Sequence, residues 1–238
     1  MNTENLYRLQ HDAMGAAIID FWQKKVPENK LEVFCSVAEV EIFPIDYLLR
    51  TYTQMPYLEQ KALQMSYGHI LDIGAAAGCH SLYLQQQNKS VTACDISSFC
   101  VQVMQERGIQ NILQADVWQL PNTHQYDTIL LLMNGIGLAE NLQKLPTFLH
   151  NLKNILAQNG QILFTSTDIR YMYEKVNKNK LPYYGEVRYQ MKYGDIVSDY
   201  FDWLYLDIQT AKKVCSQLGW KIELIAKDNM AHYLMRLS

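Results

Sequence analysis

Residues 69–78, HILDIGAAAG, limit the possible folds more than any other stretch of the chain. His69-Ile70-Leu71-Asp72-Ile73 is a short apolar run that meets the small-residue turn Gly74-Ala75-Ala76-Ala77-Gly78. A run of this length ahead of such a turn reads as a buried strand. Glycine and alanine then let backbone approach a ligand closely, with the N–H groups of the following helix pointing at it. The spacing is D-x-G-x-x-x-G, not the G-x-G-x-x-G of dinucleotide-binding turns. A turn that serves strand–helix packing alone is the other reading of the same residues.

The pattern downstream extends the first reading. Ser90–Cys94 is a second strand ending at Asp95, and Ser97-Ser98 caps a helix that stops at Gly108. A short third strand spans 111–114. Tyr126–Met133 is continuously apolar, as a central parallel strand buried on both faces requires. A helix over 142–156 stops at Asn159-Gly160, and Gln161–Thr165 is a fifth strand. Strands alternating with helices at this spacing imply right-handed βαβ units and a doubly wound α/β fold. After Asp168 the rhythm breaks. Val187–Tyr193 and Val197–Leu206 read as a hairpin about Gly194-Asp195. A helix over 208–218 follows, then strands over 220–226 and 232–237 whose short connection permits only antiparallel pairing. The expected core is therefore 67–238: a seven-stranded sheet, parallel with an antiparallel final hairpin, and an inserted cap at 169–206.

Ahead of the core, residues 1–66 read as a helical extension. Leu6, Leu9, Ala13, Ala17, Ile18 and Phe21/Trp22 form one apolar stripe, Pro27-Glu28-Asn29 breaks it, and a second helical region covers 45–65 with a break or a fresh helix start at Pro56. One-faced helices must bury that face, and the sheet's own helices occupy its flanks. Extension and cap are thus expected to form a shared lid over the carboxyl ends of strands four and five.

Composition narrows the partners. A formal net charge of −3 over 238 residues gives no basic footprint for nucleic acid; the cluster Lys175, Lys178, Lys180 reads as a solvated loop. The five cysteines, Cys35, Cys79, Cys94, Cys100 and Cys215, are scattered, with neither disulfide-framework nor zinc spacing. No apolar run reaches the roughly 20 residues that span a bilayer, and Met1–Gln10 lacks the layout of a secretory leader. The expectation is a cytoplasmic protein, monomer or homodimer, with no metal, membrane or nucleic-acid partner.

In an open α/β sheet, ligands bind beyond the carboxyl ends of the strands where strand order reverses. Asp95, ending strand two, suits two ribose hydroxyls, or caps the next helix. Asp116, after strand three, suits an exocyclic amine with Val117 or Trp118 on the ring face, or is a surface aspartate. His80 opens the first core helix and is either structural, ligand-contacting or a base. Asn134 in "MNGIG" is followed by Gly135-Ile136-Gly137, which suits close backbone approach to a ligand or simply a sharp loop.

Taken in order, these segments resemble class I S-adenosylmethionine-dependent methyltransferases from about Tyr67 to Ser238. "HILDIGAAAGCHSLYL" resembles the first motif, with Ala76 where a second glycine is usual. Asp95 in "VTACDIS", Asp116 in "QADVWQLP", the fourth strand "YDTILLLMNGIGL" and "LKNILAQNGQILFTST" follow. The resemblance implies a Rossmann-like fold, S-adenosyl-L-methionine as cofactor, S-adenosyl-L-homocysteine as product, and donor contacts from Asp72, Gly74, Ala75, Ala76, Gly78, His80, Ser81, Asp95, Ile96, Asp116, Val117, Met133, Asn134 and Gly135. The aromatic cap suits an amphipathic small-molecule acceptor, with Tyr184, Tyr189 and Trp203 as candidates beside Arg50 and Tyr52 of the extension. Arg50 could pair with a substrate carboxylate or form a structural salt bridge. An RNA or protein methyltransferase and a catalytically silent donor-binding sensor are the alternatives.

Overall fold

The computed structural model describes residues 10–23, 30–173 and 183–238. Leu6, Leu9, the break at 27–29 and the lysine cluster at 175–180 lie outside the described residues.

Strands β3 (His69–Ile73), β4 (Ser90–Asp95), β5 (Ile112–Gln114), β6 (Tyr126–Leu131), β7 (Leu156–Thr167), β11 (Ile222–Lys227) and β12 (His232–Leu237) form a seven-stranded sheet in the order β11-β12-β7-β6-β3-β4-β5. The pairs from β7 to β5 are parallel, and β12 pairs antiparallel with both β7 and β11. Strand order reverses at β3, between β4 and β6, so the turn after β3 opens at the switch point.

Alternation along each strand builds the two sides. Leu71, Ile73, Ile129, Leu131, Ile162, Phe164, Tyr233 and Met235 enter one core with Phe148, Leu149 and Leu152 of α5 (Leu145–Asn154) and Ala211 and Cys215 of α6 (Ile208–Gln217). Ile70, Val91, Leu130, Leu163 and Leu234 enter the other with Leu58, Ala62 and Leu63 of α2 (Tyr57–Met65) and Leu84 of α3 (Cys79–Gln86). The period of two divides each buried strand between both layers. Helix α4 (Ser98–Glu106) is capped by Ser97, whose side chain accepts from the Cys100 amide.

The segment before the core is not all helical. Helix α1 (Ala13–Trp22), capped by Asp12, is followed by β1 (Leu31–Cys35) and β2 (Ala38–Phe43). The region 45–65 is two short 3-10 turns and then α2, so Pro56 marks a fresh helix start. Strands β1 and β2 pair with the insertion: β8 (Glu186–Tyr193) lies between β1 and β10 (Phe201–Leu204), and the short β9 (Ile196–Val197) also pairs with β8. Extension and insertion thus share one antiparallel sheet. It was missed because the β1–β2 connection, Ser36-Val37, carries no glycine or asparagine turn signal.

A smaller correction concerns β7, which starts at Leu156 and not at Gln161. Tyr126 and Thr128 face Leu156 and Gln161, so the extra residues between bulge out, with Asn159 at φ +64. Asn159-Gly160 marks this bulge rather than the end of α5.

Candidate functional site

The carboxyl ends of β3, β4 and β5 open onto a cleft of about 500 Å³ closed on its far side by β10. Gly74 stands at its centre with φ +71, and a β-carbon there would meet only Leu138 Cδ1, at 3.8 Å. The backbone turns here because the Gly74 and Ala75 amides donate to the Cys94 carbonyl at 2.9 and 3.0 Å. Gly78 has a different duty: a β-carbon would strike Ile109, so this glycine lets α3 pack against the segment after α4.

Asp95 is fixed by its surroundings. Its carboxylate accepts from the Ala76 amide at 2.8 Å and the Ser97 amide at 2.9 Å. Burial outweighs these bonds and pushes its pKa up to about 6. Both oxygens retain lone pairs for further donors. Ile96, Asp116, Val117, Trp118 and, across the cleft, Phe201 and Trp203 complete the wall. The Asp116 side chain accepts from the Trp118 amide at 2.9 Å, ordering the loop after β5.

A narrow cavity of about 20 Å³ continues past Gly74, lined by Asp72, Ala75, Ala76, Cys79, His80, Met133 and Leu48. Asp72 is buried, accepts from Ser81 Oγ at 2.7 Å, and burial raises its pKa. Burial opposes a charge on His80, but Cys79 beside it and Glu59, whose Oε2 is 2.7 Å from Nε2, prevail and push its pKa up to about 10.

A third cavity, about 200 Å³, lies between the two sheets. Asn134 and Thr167 meet there: Thr167 Oγ1 donates to Asn134 Oδ1 at 2.9 Å. Tyr189 and Tyr205, whose hydroxyls are 2.9 Å apart, line the cap side.

The structure thus brings most of the expected site residues to the carboxyl edge: Gly74, Asp95, Ile96, Asp116, Val117 and Trp203 on the cleft, Asp72, Ala75, Ala76, His80 and Met133 on the narrow cavity, Asn134 and Tyr189 on the third. Ser81 and Gly135 are buried behind it and line none of the three. Arg50 is turned inward onto Glu59, Tyr47 and His80, so the structural salt bridge is the alternative realised. Tyr52 stacks on Tyr83, ring centroids 4.0 Å apart, and Tyr184 bonds Asp168 at 2.9 Å; neither lines a cavity. Tyr205, one of the cap aromatics, also reaches the third cavity; the residues missed were Glu59, Glu39, Glu41 and His232. Only His232 left a trace in the sequence, an aspartate four residues before it at Asp228.

Over 96% of its length the chain is similar to the crystal structure of an S-adenosylmethionine-dependent methyltransferase from Bacteroides fragilis in complex with S-adenosyl-L-homocysteine, with 41% identity, TM-score 0.90 and 95% of that chain covered. The chain belongs to the S-adenosylmethionine-dependent methyltransferases. Residues 70–160 match the methyltransferase domain family. An uncharacterized methyltransferase of Staphylococcus carnosus is 21% identical over 166 residues, covering 69% of this chain and 75% of that protein. The complex of DhpI with SAM and HEP shares the fold at TM-score 0.59 and 16% identity, over 78% of this chain and 89% of that one. Among the described residues no helix of this methyltransferase is long and apolar enough to cross a membrane, and no group of three His, Cys, Asp or Glu side chains could hold a metal ion.

The geometry fits the donor this family uses. The cleft falls within the ~300–1,000 Å³ of small-ligand sites. Asp95 presents a carboxylate to the cleft, apolar side chains flank it, and the missing β-carbon of Gly74 leaves room at the junction with the narrow cavity.

Proposed function

We propose that this methyltransferase acts on a small molecule held between its two sheets. The observation that carries the reading is the third cavity. Asn134 follows β6 directly after Met133, which lines the narrow cavity on the donor side, and faces a space of about 200 Å³ roofed by the shared antiparallel sheet. That volume is below the ~300–1,000 Å³ of drug-sized sites and suits a compact metabolite better than a polymer.

In this reading Asp95 accepts the ribose hydroxyls. Asp116 accepts from the adenine amine, with Ile96 and Val117 against the ring. The Gly74 backbone, Asp72, His80 and Met133 surround the amino-acid end. The donor supplies a methyl group already activated on a sulfonium. The protein therefore holds the acceptor atom in line beneath β1, β2 and β8.

The test is methyl transfer from radiolabelled S-adenosylmethionine to an ultrafiltered bacterial metabolite pool, to total protein and to total RNA. Label is expected in the filtrate alone. Val33→Trp, which fills the inter-sheet cavity, should abolish that product while homocysteine-adduct binding, measured by calorimetry with S-adenosyl-L-homocysteine, is unchanged. Label retained with RNA or protein would overturn the small-molecule reading.

A further inference from the structure

We infer that His232, oriented by Asp228, is the general base of the reaction, and that the acceptor is a hydroxyl or ammonium compound that is neutral or cationic where it meets the protein. This rests on the inter-sheet cavity being the acceptor site.

His232 opens β12 and pairs directly with Thr167 across the β7–β12 ladder, so the two side chains share a face of the sheet. Thr167 in turn bonds Asn134. Asn134 after β6, Thr167 at the end of β7 and His232 at the start of β12 form a row along the carboxyl edge, and all three line the one cavity.

The imidazole is held in one orientation. Nδ1 lies 2.8 Å from Asp228 Oδ2, while Asp228 Oδ1 accepts the backbone amides of Met230 at 2.8 Å and His232 at 3.0 Å. Burial alone would raise the Asp228 pKa, but the His232 ring and these amides outweigh it and hold the carboxyl below its ordinary range. A carboxylate beside Nδ1 selects the Nδ1–H tautomer and leaves the lone pair on Nε2. Nε2 has no hydrogen-bond partner among the described residues. A carboxylate that orients a histidine whose other nitrogen is free is the arrangement of an activated base.

The remaining groups select the acceptor. Glu39 and Glu41 of β2 line the cavity, and neither has an ion-pair partner among the described residues; no lysine or arginine lines it there. A phosphate or carboxylate on the acceptor would meet these acids unneutralised, whereas an ammonium or hydroxyl would not. Such an acceptor must lose a proton to react. Its O–H or N–H proton passes to Nε2 as the oxygen or nitrogen lone pair bonds the methyl carbon, and the carbon–sulfur bond breaks with its electron pair going to sulfur. The products are methylated acceptor, neutral thioether and imidazolium. The His232 side chain is 41% exposed, so the proton can leave to solvent.

Other charged or titratable groups at the cavity or its rim are Asp168 at the end of β7, held by Tyr184 and paired with Arg170, then Cys35 of β1 and Tyr171, Tyr189 and Tyr205 of the cap. None of them bonds Nε2.

The test needs no acceptor. The ring nitrogens of ¹⁵N-histidine-labelled full-length protein are observed with S-adenosyl-L-homocysteine bound and then with S-adenosylmethionine, ligands that differ by one methyl and one positive charge. The neutral His232 ring should carry its proton on Nδ1, and its signals should shift between the two ligands. Those of His69 and His124, near the opposite edge of the sheet, should not. Asp228→Asn should move the proton to Nε2 without changing homocysteine-ligand affinity. A proton on Nε2 in the wild type, or a ring blind to the exchange of ligands, overturns the proposal. In the metabolite-pool assay, His232→Gln should lose product formation while keeping donor binding, and undiminished transfer would also overturn it. Transfer to RNA or protein with the His232 shifts intact would instead remove the small-molecule reading and leave the base in place.

Discussion

Glu59 Oε2 lies 2.7 Å from His80 Nε2, and the same oxygen takes Arg50. All three residues are at most 5% exposed. The three connect a 3-10 turn, α2 and the first turn of α3, and so fix the covering segment against the donor loop. Burial would raise the Glu59 pKa, but His80 and Arg50 prevail and lower it from its ordinary 4.5. Removing one partner of a buried pair leaves an uncompensated charge, so Glu59→Gln should cost about 3–5 kcal/mol in urea denaturation. The sign with pH follows from both groups. The Glu59 contribution is present above about pH 4.5 and lost as pH falls through its lowered value. That of His80 is complete below pH 6.5 and lost as pH rises through about 10. Wild-type stability should therefore fall on both sides of this window, and Glu59→Gln should flatten both limbs. A mutant as stable as wild type would show that the cluster is not coupled to folding.

Asp95 should make donor binding pH-dependent. Its carboxyl titrates near 6 before ligand arrives, and hydroxyl donors favour the ionised form, so binding lowers that value and releases a proton. Affinity for S-adenosyl-L-homocysteine should then weaken as pH falls below 6, by at most about tenfold per unit. Asp95→Asn should remove this slope and cost about 1–3 kcal/mol, since hydrogen bonds to a charged acceptor are the stronger ones. Calorimetry between pH 5 and 7.5 decides it; an unchanged slope in the mutant would assign the titration elsewhere.

The parallel sheet was legible because its strands are buried on both faces and each ends in small or acidic residues. Tyr126–Leu131, Asp72, Gly74 and Asp95 announce themselves by residue type and order. Of the shared antiparallel sheet, the insertion's hairpin about Gly194-Asp195 was legible, and β1 and β2 were not. In β2 the sequence does alternate, Glu39 and Glu41 with Val40 and Ile42, but all four are exposed, so the alternation marks no buried face and nothing local ties the strand to the insertion. Arg50 shows a different limit. Its partner Glu59 lies on another element, and no local pattern says that the guanidinium turns away from the acceptor. His232 was hidden for a similar reason, since its value depends on Thr167 and Asn134, on neighbouring strands that only the fold brings beside it.

Gly74→Val separates space from strain. The nearest atom to a β-carbon is 3.8 Å away, so the protein itself has room. The cost to folding is that of a β-branched residue at φ +71, about 1–3 kcal/mol, and the mutant should remain folded by circular dichroism. The side chain would project into the cleft, so S-adenosyl-L-homocysteine binding should be lost. Normal binding would place the donor elsewhere.

The N-terminal helix should sense the donor through Ser97. The Ser97 amide donates to Asp95 Oδ1, and its hydroxyl donates to Asp12 Oδ2. Asp12 is the cap of α1, its other oxygen accepting the Gly15 amide at 2.8 Å. Ala13, Ala16 and Ala17 of α1 pack against Leu31 of β1 and Tyr193 of β8, so the chain of contacts runs from the cleft to the antiparallel sheet over the inter-sheet cavity. A ligand that holds Asp95 should therefore steady Ser97, the cap of α1 and the β1–β8 pair together. In hydrogen exchange, S-adenosyl-L-homocysteine alone should slow amides in 13–22, 31–35 and 186–193 as well as in 74–78. Asp12→Ala removes the connection at about 1 kcal/mol of helix stability; protection in 74–78 should persist while that in 13–22 and 186–193 disappears. Protection confined to 74–78 in the wild type would mean that the roof closes independently of the donor, and that acceptor entry and donor binding are uncoupled.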